Sequence, residues 1–107
     1  MKGDHIGEFE ELVLLAIGAL GDGAYGVSIK EKLDRETRRD ISIGAVYAAL
    51  DRLEAKTLVE SRELPGPPSR GGRRRRSFSA TPAGRRALRE MRDLRDRLWR
   101  ATPARVR

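Results

Sequence analysis

The stretch at residues 42–56, SIGAVYAALDRLEAK, constrains the fold more than any other part of this chain. Ser42 is a good helix N-cap, since its hydroxyl can accept from an N–H that has no partner inside the helix. Behind it, Ile43, Val46, Leu50 and Leu53 recur at spacings of three and four, which predicts one shared helical face. The other face carries Gly44, Ala45, Ala48, Asp51 and Arg52, small near the start and charged later. Such a slim leading edge lets the free N–H groups of the first turn approach a bulky partner.

The flanking segments read as partners for this helix. From Ile6 the apolar positions Phe9, Val13, Ala16, Ile17 and Leu20 mark a helix, and Leu12, Leu14 and Leu15 make it apolar nearly all round. A helix of that kind is buried on several faces or sits in an interface. Gly21-Asp22-Gly23 should end it. A second helix is expected over about 24–38, with Val27, Ile29 and Leu33 toward the core and Lys30, Lys32 and Arg35 toward water. After Lys56 the period changes: Leu58, Val59, Ser61 and Leu64 lie in a predicted strand, residues 65–69 (PGPPS) in a loop, and residues 76–80 in a returning strand with Phe78 inward. Thr81-Pro82 then opens a last helix. Along it Gly84, Ala87, Met91, Leu94 and Leu98, with Leu88 beside them, form a narrow seam suited to pairing with another helix. The remaining positions are charged and offer (i, i+4) pairs such as Arg86–Glu90 and Arg92–Asp96. Pro103 should stop the helix and leave a fraying tail.

Two helices joined by a short connection, then a basic hairpin, make a winged helix-turn-helix. The predicted class is therefore mainly α (α+β): a helix-turn-helix with a two-stranded wing over residues 1–81, and a C-terminal dimerisation helix with its tail over 82–107. At 107 residues one modest core is affordable, and the net charge of +7 favours a polyanionic partner, above all nucleic acid. The absence of cysteine excludes disulfides and thiolate metal sites, and His5 is the single histidine, so neither a metal centre nor a cofactor is expected. No base stands beside a nucleophile, which argues against an enzyme. The apolar run at 12–20 is too short to span a bilayer and follows acidic residues, so a cytoplasmic protein is expected. Gly21 to Gly26 spells G-x-G-x-x-G, yet the preceding run has helical phasing and the chain cannot supply a doubly wound sheet, so these glycines are read as a turn.

With its parts placed, the sequence resembles the PadR-like family of bacterial transcriptional regulators. The matching stretches are GEFEELVLLAIGAL at 7–20, AYGVSI at 24–29, SIGAVYAALDRLEAKTLV at 42–59 and GGRRRRSFSATPAGRRAL at 71–88. The resemblance implies a winged helix domain, a C-terminal dimerisation helix and binding to an inverted-repeat operator, usually as a repressor. Three departures stand out. Thr57 replaces a common glycine at the exit of the recognition helix, and a β-branched residue is strained there if the position is left-handed. Ser77 and Ala80 replace larger side chains on the second wing strand. The chain stops soon after one C-terminal helix, as in the short subgroup.

These readings assign residues. Ser42, Gly44, Ala45, Tyr47 and Ala48 would lie in or beside a major groove of double-stranded DNA, with thin direct readout, because alanines can touch thymine methyls but form no bidentate hydrogen bonds. Tyr47 could instead lie half-buried against the wing, and Arg52 could contact a base or pair with nearby acids. Tyr25 could serve a phosphate at a helix start or cap the core edge. Arg70, Arg73, Arg74 and Arg75 would reach phosphates or a minor groove, or else form a solvated basic loop. Phe9 and Val13 with Ala87, Leu88, Met91, Leu94 and Leu98 would build a homodimer interface. Trp99 could stack on a small aromatic effector or simply pack that interface. A competing class is a basic winged module that binds RNA, bulk nucleic acid or protein without an operator. Membrane attachment is disfavoured, since the arginines of the last helix are spread around its seam.

Overall fold

The computed structural model describes residues 6–65 and 75–107. Four helices and one hairpin follow in chain order: α1 (Glu8–Leu20), α2 (Gly26–Thr37), α3 (Ile43–Ala55), β1 (Val59–Leu64), β2 (Arg75–Ala80) and α4 (Pro82–Ala101). The winged helix-turn-helix read from the sequence is the observed fold. The core is built where α1, α2 and α3 cross, from Val13, Leu14, Ile17, Ile29, Leu33, Val46, Ala49, Leu50 and Leu53, and is closed by Leu58, Val59 and Phe78 at the wing root. An isolated hairpin is marginal in water; here Val59 and Phe78 rest on the helices and β1 pairs antiparallel with β2, Val59 opposite Ala80 and Leu64 opposite Arg75.

Several expectations need correction. Ala24 and Tyr25 are extended, not helical: Phe78 N–H donates to the Ala24 carbonyl at 2.9 Å, and Tyr25 forms an isolated bridge with Ser77. This ties the segment to β2 by a single bridge and delays α2 until Gly26. Val27 is 52% exposed, because starting the helix there turns Gly26, Ile29 and Leu33 to the core instead. Ile43 precedes the buried turn of α3 and is exposed, whereas Ala49 takes an unpredicted core position. Val13, expected in a dimer contact, has no exposed surface and belongs to the protomer core. Residues 104–106 form a 3-10 turn instead of fraying, and Arg107 returns over Trp99, its guanidinium carbon 5.5 Å from the ring centroid. The (i, i+4) pairs expected along α4 do not close among the described residues; Arg92 reaches Asp93 at 3.3 Å. Exposed arginines gain little from such pairs in water.

Two buried acids brace this arrangement. Glu10 on α1 accepts from Arg52 Nε at 2.8 Å and Lys56 Nζ at 2.6 Å, tying α1 to the end of α3. Glu11 accepts both Nε and Nη2 of Arg95, a bidentate grip that carries α1 onto the middle of α4. No helix among the described residues is long and apolar enough to cross a membrane.

Candidate nucleic-acid interface

The first turn of α3 is capped as expected: Ser42 Oγ accepts from Ala45 N–H at 3.0 Å. With Val46, Leu50 and Leu53 turned inward, Gly44, Ala45, Ala48, Asp51 and Arg52 form an exposed face, and a Cβ placed on Gly44 would meet nothing within 4 Å. The helix therefore presents a thin exposed edge, and at Gly44 none of the described residues stands in front of it.

The connection from α2 sets the angle of that edge. Arg38 ends α2 in the left-handed region at φ 58°. Asp34 then accepts from Ile41 N–H at 2.8 Å, and Lys30 Nζ bridges Asp34 and Asp40. Hydrogen bonds from Lys30 and from the Ile41 amide lower the Asp34 carboxyl below its ordinary range. The turn is thus held by one carboxylate that bonds to side chain and backbone together.

Tyr47 projects from α3 over the start of α2, not against the wing. A Cβ on Gly26 would stand 2.3 Å from the Tyr47 hydroxyl, so only glycine leaves room for the ring. The ring stays partly exposed, with its hydroxyl beside the α2 start. Arg52 resolves toward the acid: its Nε is taken by Glu10. Burial alone would push the Glu10 carboxyl up, but the hydrogen bonds and charges of Lys56 and Arg52 outweigh it and hold the group below its usual value.

The wing carries the other predicted contacts. Arg70, Arg73 and Arg74 lie outside the described residues. Arg75 opens β2 and stacks on Tyr25, its guanidinium carbon 4.8 Å from the ring centroid. The backbone of Tyr25 is also occupied, its N–H donating to Ser28 Oγ at 2.8 Å. Arg76, which the sequence places at the end of the same basic run, donates to Ser61 Oγ at 2.7 Å and stands 3.6 Å from Glu54. The alternation of a strand was the signal that these neighbouring arginines face opposite ways.

Away from this face, the seam of α4 divides. Gly84 is buried; Ala87, Leu88 and Met91 are half-covered, as is Phe9; Leu94 and Leu98 are 49% and 63% exposed. Beside the seam runs a cleft of about 560 Å³ lined by Ile6, Leu58, Ala83, Ala87, Met91 and Leu94 among others. Trp99 does not line it.

Residues 14–90 match the family described as transcriptional regulator PadR-like. The chain is 38% identical over 76 residues to an uncharacterized 37.1 kDa protein in transposon TN4556 of Streptomyces fradiae; the match covers 70% of this chain and 20% of that protein, so the chain spans about a fifth of the curated relative's length. It is similar to a PadR family transcriptional regulator from Eggerthella lenta, at 27% identity and TM-score 0.68, covering 88% of this chain and 81% of that one. It also shares its fold with Bacillus subtilis PadR in complex with operator DNA, at 16% identity and TM-score 0.64, over 78% of this chain and 46% of the other.

Proposed function

Because this chain belongs to the PadR-like family of transcriptional regulators, we propose that it binds an inverted-repeat operator as a homodimer and represses transcription there. The observation that carries this reading is the vacant, small-residue face of α3, from Ser42 through Gly44, Ala45 and Ala48, on a helix whose other side is fully committed to the core. In this reading residues 1–81 meet the DNA and residues 82–107 pair the protomers. A face of this width enters a major groove, and its capped first turn sits beside phosphates. Tyr47 donates its hydroxyl to a phosphate at the groove edge, while Arg70, Arg73 and Arg74 contact the flanking backbone. Bacillus subtilis PadR, whose fold this chain shares, is found with operator DNA.

The partner is a second copy. Leu94 and Leu98 are too exposed to rest in water without cost, and the cleft lined by Ala87, Met91 and Leu94 continues their apolar surface. Pairing along α4 sets two α3 helices about 34–36 Å apart, one turn of duplex.

Ala45→Glu tests the DNA face. The new carboxylate stands at the third helical position, where it favours the helix start, so folding survives while phosphates are repelled. Loss of operator binding in an anisotropy titration, with an unchanged melting temperature, is the expected result. Competition at matched salt tests the operator: an operator binder prefers one duplex over bulk DNA. Equal competition by both would leave only electrostatic binding.

A further inference from the structure

Arginines next to a wing tip would ordinarily be counted as phosphate ligands. Two of the run, Arg75 and Arg76, are engaged within the protein, and on opposite sides of the hairpin. Arg75 sits over the ring of Tyr25, the residue that leads into α2, and its Nε is shielded from solvent and has no hydrogen-bond partner among the described residues. The ring thus holds this guanidinium by its carbon while Nε is turned away from solvent. Arg76 points to the other face, where it donates to Ser61 Oγ; Ser61 in turn donates to Glu54 Oε2 at 2.8 Å, and the guanidinium carbon stands 5.8 Å from the Phe78 ring centroid. Glu54 belongs to the last turn of α3. The outer end of the described hairpin, where Arg75 and Arg76 pair with Leu64 and Glu63, is therefore gripped from one side by the start of α2 and from the other by the end of α3.

We propose that Arg75 and Arg76 are positioning residues that set the wing's angle to the recognition helix, through Tyr25 and Glu54 respectively, and that neither neutralises a phosphate. The inference rests on the reading that wing and α3 meet DNA together. Its physical basis is that a two-stranded ribbon has little rigidity of its own, so it keeps one angle to α3 only if both its faces are held beyond the root. Arginine suits the task because a planar guanidinium stacks and forks where an ammonium cannot.

The test is operator affinity of the full chain measured over a range of salt. Losing the stack should weaken binding about 3- to 10-fold, within the range of a partly shielded cation–π contact. Arg75→Gln should show that loss with an unchanged slope of log affinity against log salt. Arg75→Lys should lose as much, although it keeps the charge. Tyr25→Leu should lose as much again, the Tyr25→Leu/Arg75→Gln double variant no more than either, and Tyr25→Phe, which keeps the ring, nothing. Glu54→Gln gives a test of sign. Removing a negative charge near DNA tightens binding if charge alone counts, whereas a lost wing anchor weakens it.

If Arg75→Lys binds like the unmodified protein while Arg75→Gln lowers the salt slope by about 0.9, Arg75 is a phosphate ligand and the proposal fails. It fails equally if Arg75→Gln leaves affinity unchanged, or if Glu54→Gln tightens binding. Failure of the underlying reading looks different: neutralising Arg73 and Arg74 would leave both affinity and slope untouched. Amide hydrogen exchange at Ser77 and Phe78 then still decides the positioning role, by rising in Arg75→Gln and Tyr25→Leu or staying fixed.

Discussion

Thr57 holds a φ of 59°, in the left-handed region that β-branched residues avoid. The exit of α3 requires it: Leu58 N–H donates to the Leu53 carbonyl at 3.0 Å and Thr57 N–H to that of Glu54 at 2.9 Å, the paired bonds of a Schellman ending. The strain noted from the sequence is therefore present, and the helix exit is the ordinary glycine-type one, kept with the wrong residue. Thr57→Gly should relieve about 1–2 kcal/mol of left-handed strain and lose about 0.5–1 kcal/mol to glycine's entropy. The melting temperature is expected to rise by a few degrees in a calorimetric scan; a fall would show that the Thr57 hydroxyl, which donates to the Lys56 carbonyl, matters more. Gly84 is the opposite situation. A Cβ there would stand 2.1 Å from the Leu58 carbonyl oxygen, which already accepts Thr81 N–H. Gly84→Ala must push α4 off the wing root, at a cost of about 1–3 kcal/mol or more in denaturant melts. Only the first of these two glycine positions is filled by another residue, and it is the one where space is not the issue.

Among the elements, α1 is the organiser, and it works through charge as well as apolar surface. Its apolar stripe fills the core, while Glu10 and Glu11, beside that stripe, hold α3 and α4 through Arg52, Lys56 and Arg95. The folded value of Glu10 lies below its unfolded one. Its contribution is therefore complete above the ordinary glutamate range and is lost as the pH falls through that range toward the folded value. Glu10→Gln should cost about 1–2 kcal/mol at neutral pH, the lower part of the range for a charged hydrogen bond because Arg52 is half exposed. Melting temperature against pH should also lose part of its acid limb in this variant. An acid limb identical to that of the unmodified protein would assign the acid sensitivity to other carboxylates. The hairpin depends on its neighbours in the same way, since α2 and α3 hold its two faces.

The whole molecule is elongated. The radius of gyration is 15.7 Å with extents of 56 × 31 × 21 Å, against about 13 Å for a compact chain of this length. Beyond Met91, α4 leaves the core and carries Leu94 and Leu98 into solvent. The proposed second copy covers them. Leu94→Glu is expected to shift sedimentation to the monomer and to weaken operator binding far more than binding to a half-site, since only a dimer spans both halves. A dimer that persists in this variant would take the later half of α4 out of the interface.

The local grammar was legible in the amino-acid order. Ser42 and Thr81-Pro82 start helices, threes and fours place Val46, Leu50 and Leu53 inward, and Phe78 anchors a returning strand, because caps and periodicity act over a few residues and need no distant partner. Tertiary structure alone decided the rest. It moved Val13 from a supposed interface into the core, drew Ala24 and Tyr25 out of α2 into the wing, and gave Arg52 to Glu10 and Arg75 to Tyr25. The last three depend on which groups a fold brings within a few ångströms across 42 or more residues of chain, and the first on how helices pack, and no spacing along the sequence encodes either.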